Sequence, residues 1–349
     1  MSTNATTRAA LLVSCLFGAA VAAAQTPPAH PLFAEQTPLD IKISAPFSEL
    51  WRARDERVEH DAVFEYLDQN GATVAIDIEV RLRGRSRRMY CDFPPLSLDF
   101  PRGDVTDTLF SGQNRLKLVT MCRSSNFFRD YLVQEFLIYR MLNELTEQSF
   151  RVRWANVEYV IADSKRERTV IAPAFLIEED WEVAERLGME VVEVPEIEIE
   201  ELDLEHTALV GMFQYLIGNT DWAVLDAPGD EPCCHNGKVL RTESGSMLVL
   251  PYDFDGAGLI NAEYAAPAEN LPIRAVTQRL YRGFCRMQPE LDRVIAALNA
   301  KRDVFIEIFN HEELSNSGRK RAVTFIEDSL EVFNDQDKRE SRIDEVCRD

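Results

Sequence analysis

The chain has 349 residues with 38 basic and 59 acidic side chains, which gives a formal net charge of −21 at pH 7. An excess of negative charge on this scale disfavours nucleic acid and anionic membrane surfaces as partners, because both are polyanions. The length is enough for one large domain or for two closely packed lobes with a sizeable core.

The N-terminus has the parts of a secretory signal peptide. Arg8 supplies a positive charge, an apolar run follows it, and the alanines at 22–24 form a cleavage site of small residues. The apolar run is shorter than the about 20 residues that a transmembrane helix needs. We therefore predict a signal peptide over 1–24, a flexible lead-in over 25–37, and export to the periplasm or the cell exterior without stable membrane insertion. A lipid-modified Cys15 is the alternative.

Cysteine usage fits an oxidising compartment. One of the seven cysteines is lost with the signal peptide, which leaves an even number in the exported chain, and this favours disulfide bonds. We expect Cys91 to pair with Cys122 and Cys234 to pair with Cys285, and we do not expect the two adjacent cysteines to bond to each other. A soft-metal site at the Cys-Cys-His run of 233–235 and free thiols are the alternatives.

Hydrophobic periodicity divides the chain into two halves. Strands with a period of two are predicted at 39–43, 74–82, 96–100, 115–119, 156–161 and 169–177. One stretch among them, 127–145, has the period of an amphipathic helix. The second half contains a short hairpin at 238–240 and 247–251. Its other patterns are helical and cover 180–187, 206–217, 288–310 and 319–334.

This order predicts an α+β fold with two lobes and a cleft between them. The β-rich N-terminal lobe, which contains the one long helix, would span 38–179. The mainly helical C-terminal lobe would span 180–349. Its acidic stretch 190–205 is typical of a solvated edge strand or loop; a calcium site is the alternative, although the ligand spacing of a calcium loop is missing.

The residues that indicate a particular chemistry lie between 213 and 258. Asp221 follows a predicted helix, Asn236 comes soon after, and a hairpin then ends in the Asp-Phe-Asp run of 253–255. Phosphoryl transfer needs a carboxylate that orients the acceptor hydroxyl, together with oxygen ligands that hold divalent cations against nucleotide phosphates. Protein kinases order these parts in the same way along the chain. Each acid alone is also compatible with ordinary turn chemistry.

These residues resemble the spore coat protein H (CotH) family of atypical secreted kinases. The resemblance rests on Asp221, the His-Asn pair at 235–236 and the Pro-Tyr-Asp-Phe-Asp run at 251–255. Two shorter stretches support it. The Arg-Gly-Arg-Ser-Arg run at 83–87 is similar to that family's Arg-Gly-Asn-Ser stretch, and 174–180 is similar to its strand that ends in Glu before a helix.

The resemblance covers roughly 78–259. It implies a two-lobed protein-kinase-like fold, ATP as the cofactor, and a divalent metal, Mg²⁺ or Mn²⁺. By position, Asp221 would be the catalytic carboxylate. Asn236 and Asp253 would bind the metal, with Asp255 close by.

Four further residues are candidates for binding the cofactor. In a kinase-like fold, Lys117 would be the phosphate lysine on its strand, and Glu135 on the following helix would be its ion-pair partner. Glu178 at the next strand end and Arg83 complete the set. The alternatives are an exposed strand lysine, a solvated helix face and a basic strand end.

The predicted function is therefore that of an exported kinase-like enzyme. It would transfer a phosphoryl group from ATP to a protein or to a small-molecule hydroxyl acceptor. The alternative is a catalytically degenerate kinase-fold protein of the cell envelope that binds a ligand or partner, because an exported protein meets little ATP. Convergence of Asp221, Asn236 and Asp253 in one cleft is the structural observation that would favour a site.

Overall fold

The structure is a computed structural model that describes residues 30–54, 57–101, 105–163, 168–229, 231–268 and 270–349. Within these ranges the α-helices are α1 (Pro31–Ala34), α2 (Phe47–Arg52), α3 (Ser86–Tyr90), α4 (Asn126–Asn143), α5 (Asp180–Leu187), α6 (Leu204–Ile217), α7 (Gln288–Ala300), α8 (Arg302–Ile308), α9 (Asn316–Asn334) and α10 (Gln336–Arg339). The strands are β1 (Leu39–Ala45), β2 (His60–Leu67), β3 (Thr73–Leu82), β4 (Leu96–Asp99), β5 (Arg115–Thr120), β6 (Val152–Ile161), β7 (Arg168–Ile177), β8 (Glu190–Val191), β9 (Gly237–Arg241) and β10 (Met247–Pro251). The predicted signal peptide and the first part of the lead-in lie outside the described residues.

Seven strands form a closed barrel in the order β1-β2-β3-β4-β5-β7-β6. β1 closes the barrel by pairing in parallel with β6, whereas the other neighbours are antiparallel. The alternating side chains of each strand place one row inside the barrel. That interior is a continuous apolar core, in which Phe64, Phe100 and Phe110 pack ring against ring.

The expected two-lobed protein-kinase-like fold is wrong, because the strand-rich half is a closed barrel. Its closure depends on the pairing of Leu39 with Ala155 and of Ala45 with Ile161. Local alternation predicts that a segment is a strand, but it carries no information about which distant strand will be its partner. The two halves also share one core rather than facing each other as separate lobes.

That shared core lies on the outer side of three barrel strands. Part of each of β5, β6 and β7 is buried on both faces. Trp154 and Phe175 pack against Phe136 of α4, while their neighbours Ala155 and Leu176 point into the barrel. The same core continues through α6, α7 and α9. α4 is therefore nearly surrounded, which explains why twelve of its eighteen residues are buried.

Most predicted elements are confirmed, with small differences at their ends. The chief exceptions are β2, which the patterns missed, and the helix predicted over 288–310, which is interrupted at Lys301 between α7 and α8. The acidic stretch contains β8, the edge strand of a small β10-β9-β8 sheet. Part of the predicted lead-in is ordered, because Leu32 and Phe33 of α1 are fully buried.

Three disulfide bonds occur in the part of the chain that the structure describes. Cys91–Cys122 confirms one prediction. The predicted Cys234–Cys285 bond is wrong, because Cys234 bonds to its neighbour Cys233, and Cys285 bonds to Cys347 near the C-terminus.

None of the described helices combines the length and apolar character needed to cross a bilayer.

Candidate active site

One cleft of about 510 Å³ brings together residues that are far apart in the sequence. Its lining includes Arg83, Asp221, Asn236, Asp253 and Asp255. These five are the predicted catalytic carboxylate, the three predicted metal ligands and one of the predicted cofactor-binding residues. Asp221, Asn236 and Asp253 therefore converge in one cleft, which is the arrangement that favours a functional site.

Asp221 reaches the cleft because α6 stops just before it. Gly218 ends this helix with φ at +65°, a left-handed conformation that glycine adopts without steric cost. Leu259 donates a backbone hydrogen bond of 3.0 Å to the carbonyl of Ile217, and this bond ties the helix end to the segment after Asp255. A Cβ placed on Gly256 would lie 3.8 Å from the Cβ of Asp221, so the two loops are in contact.

The Asp-Phe-Asp run projects its acids because its aromatic residue is anchored. Phe254 is fully buried, and its ring centroid lies 4.7 Å from that of Tyr139 on α4. The Tyr139 hydroxyl accepts a hydrogen bond of 2.9 Å from the backbone N–H of Asp253. These contacts hold Asp253 at φ +60°, a conformation that is uncommon outside glycine. Asn236, whose carbonyl accepts from Tyr252 at 3.1 Å, also has a positive φ of 51°.

Asp221 lies at the centre of a small hydrogen-bond network. His235 Nε2 lies 2.6 Å from Asp221 Oδ1, and Asn236 Nδ2 donates to Asp221 Oδ2 at 3.0 Å. The hydrogen bond with His235 lowers the pKa of Asp221, and the same bond raises the pKa of His235. Asp221 is therefore ionised at neutral pH while its side chain stays 55% exposed, as a group that accepts a proton from a substrate must be.

A second cluster lies next to Asp221 and contains one cation and three carboxylates. Gly84, at φ +82°, turns the chain after β3, and the short helix α3 then carries Arg87 inward. The Arg87 guanidinium lies 3.0 Å from Glu135, 2.5 Å from Asp253 and 3.2 Å from Asp255. The disulfide at Cys91, just after α3, fixes this arrangement to the rest of the chain.

The charges in this cluster do not balance. Burial raises the pKa of Glu135 to about 8 despite the opposing effect of Arg87, and burial likewise raises the pKa of Asp255 to about 6. Burial alone would lower the pKa of Arg87, but the surrounding carboxylates raise it well above its ordinary value. Arg87 is thus always charged, and the excess negative charge of the three acids attracts protons or a further cation.

Three predicted cofactor-binding residues lie apart from the lining of this cleft. Lys117 does not pair with Glu135; its ammonium group lies 2.8 Å from Glu179 instead. Glu135 accepts a hydrogen bond of 3.0 Å from Arg87 instead. Glu178 is completely buried and accepts a hydrogen bond of 2.9 Å from Arg186.

Two members of the site were not predicted from the sequence. His235 belongs to the His-Asn pair of the resemblance and to the Cys-Cys-His run, but the sequence analysis assigned it no role in the site, whereas in the structure it bonds to Asp221. Arg87 was one of several arginines in a basic run, and its three acidic partners come from two distant segments. The only available signal for Arg87 was its place in the Arg-Gly-Arg-Ser-Arg stretch.

The cleft contains oxygen atoms of the kind that bind a hard divalent cation, but it does not contain a complete set of protein ligands. Carboxylate and amide oxygens are the ligands that Mg²⁺ and Mn²⁺ prefer, and the side chain of Asp253 is 39% exposed toward the cleft. Among the described residues, however, no group of three or more His, Cys, Asp or Glu side chains is arranged to hold a metal ion. Asp253 and Asn236 could therefore serve as protein ligands only if water or phosphate oxygens completed the coordination, as is usual for Mg²⁺.

Comparison with protein-family models and with curated proteins gave no match for this chain.

Proposed function

We propose that this chain is a divalent-metal-dependent phosphotransferase that transfers a phosphoryl group from ATP to a hydroxyl group of a protein or of a small molecule. The observation that carries the proposal is the convergence of Asp221, Asn236, Asp253 and Asp255 in one cleft. The resemblance to the CotH family supports the same chemistry.

Asp221 is the catalytic carboxylate in this proposal. The acceptor hydroxyl donates its proton to Asp221 while its oxygen bonds to the γ-phosphorus of ATP, and the bond to the β-phosphate oxygen breaks. His235 keeps the Asp221 carboxylate oriented through its bond of 2.6 Å. Asp221 is an exposed, ionised carboxylate that accepts a hydrogen bond from Asn236, one of the proposed metal ligands, and this position suits a group that takes a proton from the acceptor hydroxyl.

Asn236 and Asp253 would hold Mg²⁺ or Mn²⁺, with Asp255 next to them. The metal would neutralise charge on the nucleotide phosphates when bound. Arg83 and Arg85, which line the same cleft, are placed to bind phosphate oxygens, because a guanidinium offers paired donors to such groups. Lys117 is not assigned to phosphate binding, because it does not line this cleft and its ammonium group lies 2.8 Å from Glu179.

A second candidate function is binding without catalysis. The Arg87 guanidinium lies between Glu135 and the Asp253–Asp255 acids, so a built-in cation already neutralises part of the charge that a metal would neutralise. A protein with this arrangement could hold an anionic ligand on its arginines with no need for a metal.

A transfer assay with ATP labelled at the γ-phosphate, in Mg²⁺ or Mn²⁺, separates these functions. The Asp221→Asn variant should lower the transfer rate about 100-fold or more and change ATP affinity by less than about 2-fold. Asp303→Asn is the control, because the side chain of Asp303 is 89% exposed on α8 and does not line the cleft. Equal rates for Asp221→Asn and wild type would reject Asp221 as the base. A wild-type protein that binds anions but transfers no phosphate with either metal would favour the second candidate.

A further inference from the structure

The backbone around Asp221 is held by side chains from three places. Asn219 Oδ1 accepts from the Asp221 N–H at 3.0 Å, and Asn236 Nδ2 donates to the Asp221 carbonyl at 2.8 Å. The third contact comes from Arg282, which lies some sixty residues away in the chain. Its Nη1 donates to the carbonyls of Thr220, at 2.5 Å, and of Trp222.

The two carbonyls that Arg282 binds belong to the residues on either side of Asp221. Both Thr220 and Trp222 are buried, so their carbonyls have little access to water. The guanidinium carbon of Arg282 lies 5.5 Å from the centroid of the Trp222 ring, which gives it a second attachment to the same segment. Burial lowers the pKa of Arg282 to about 10, which still leaves the side chain charged at neutral pH.

Arg282 is itself held in place by the C-terminal tail. Arg348 donates through its Nη2 to the carbonyl of Arg282, and its backbone N–H donates to the Gly283 carbonyl at 2.9 Å. The Cys285–Cys347 disulfide joins the same two segments covalently. A continuous chain of contacts therefore runs from the tail through Arg282 to the segment that carries Asp221.

We propose that Arg282 is the positioning residue for Asp221. By fixing the carbonyls before and after Asp221, it sets the direction in which the carboxylate enters the cleft, and the disulfide-bonded tail keeps Arg282 in that place. This inference rests on the proposed function, because it assigns Arg282 a role in the reaction that Asp221 performs.

The geometry separates this role from binding of nucleotide or metal. Arg282 is absent from the described lining of the cleft, and its partners are backbone carbonyls of the Asp221 segment. Its loss should therefore lower kcat and leave the KM for ATP nearly unchanged. A lysine at this position has a shorter reach but can still donate to a carbonyl, so it should restore part of the effect, whereas methionine cannot donate at all.

Arg153 is a matched control for Arg282. It is a buried arginine that also donates to two backbone carbonyls, those of Leu32, at 2.9 Å, and Thr37, at 2.9 Å. These acceptors lie in the segment around α1, outside the candidate site. Arg153→Met should lower the melting temperature in the same way as Arg282→Met, but it should leave kcat unchanged at temperatures where the protein is folded.

The experiment compares Arg282→Met, Arg282→Lys and Arg153→Met in steady-state transfer assays and in hydrogen–deuterium exchange of the peptide 219–225. We expect Arg282→Met to lower kcat about 100-fold, as a misplaced catalytic group does, with the KM for ATP within about 2-fold of wild type. Exchange in 219–225 should become faster in Arg282→Met and partly recover in Arg282→Lys. If Arg282→Met does not fold, Arg282→Lys tests the same claim. Its kcat should then be lower than that of wild type, and its amide exchange in 219–225 should be faster than in wild type.

Unchanged kcat in Arg282→Met, or a loss of kcat without faster exchange in 219–225, would overturn the inference. A loss of kcat in Arg153→Met as large as in Arg282→Met would overturn it too, because the effect would then come from general destabilisation. If wild type transfers no phosphate, the proposed function fails. The exchange data still decide whether Arg282 holds the Asp221 segment, and wild-type exchange in Arg282→Met would show that it does not.

Discussion

Two of the buried ion-pair clusters in the described residues differ in charge balance. In the first, Glu178 accepts two bonds from Arg186, at 2.9 and 3.1 Å, and a third from the backbone N–H of Arg151 at 2.9 Å. In the second, Arg87 alone faces Glu135, Asp253 and Asp255.

The difference indicates which cluster is structural and which is available for chemistry. A buried pair with one cation for one carboxylate, and with its remaining polar atoms bonded, has no use for another ligand. The Arg87 cluster retains an excess of negative charge and one exposed carboxylate that lines a cleft. The sequence analysis did not distinguish these clusters, because it made Glu135 of one cluster and Glu178 of the other candidates for cofactor binding.

The largest effect on stability is expected from breaking the balanced cluster. Glu178→Ala leaves the buried Arg186 with only the exposed carboxylate of Glu147, at 3.6 Å, and removal of one member of a buried ion pair costs about 3–5 kcal/mol. Urea denaturation measures this loss. Asp292→Ala is the control, because it removes an exposed partner of Arg339 and should cost less than about 1 kcal/mol. If Glu178→Ala lowers the free energy of unfolding by as little as the control does, the Glu178–Arg186 pair does not stabilise the fold.

A smaller effect is expected from removing the cation of the unbalanced cluster. Arg87→Gln should lower the free energy of unfolding in EDTA by about 2 kcal/mol, because the three acids can take up protons and limit the loss. Mn²⁺ should restore more stability to this variant than it adds to wild type, since the acids have lost their resident cation. Thermal denaturation with and without Mn²⁺ measures both effects. Arg85→Gln, which removes an exposed arginine, is the control; the same response to Mn²⁺ in both variants would contradict the assignment.

The unbalanced cluster should also make stability depend on pH. The folded-state pKa of Glu135 is raised to about 8, above the about 4.3 of an exposed Glu, so the folded state binds more protons between these values. Stability is then highest below about pH 4 for this group and is lost as the pH rises toward about 8. Glu182, whose pKa burial also raises to about 8, contributes in the same direction. One extra bound proton corresponds to about 1.4 kcal/mol per pH unit, so Glu135→Gln should reduce the slope by about 1 kcal/mol per pH unit averaged over pH 5 to 8. An unchanged slope in denaturation curves over this range would count against the raised pKa.

The sequence was informative where the physical signal is local. Alternation of apolar residues predicted six of the seven barrel strands, and the period of α4 predicted the long helix. The missed strand, β2, contains a period-two pattern of burial in the structure, so the signal was present. Closure of the barrel was not predictable in this way, because it depends on the pairing of β1 with β6, which are more than a hundred residues apart in the sequence.

The site shows the same division between local and distant information. Residue type and order were enough to place Asp221, Asn236, Asp253 and Asp255 in one group, and the structure brings them to one cleft. Their cationic neighbours were predicted less well. Glu135 pairs with Arg87 rather than with Lys117 because the turn at Gly84 after β3 carries α3 inward, and residue order does not reveal this path of the chain.

The most direct test of the central claim is a calorimetric titration of Mn²⁺ with a non-hydrolysable ATP analogue into wild type and Asp253→Asn. The substitution keeps the shape of the side chain and removes the charge of the exposed carboxylate in the unbalanced cluster. If this cluster and Asn236 form a metal–nucleotide site, wild type should bind the pair and Asp253→Asn should bind it at least about 10-fold more weakly, with Asp303→Asn unchanged. Equal affinity of wild type and Asp253→Asn for the metal–nucleotide pair would contradict the claim.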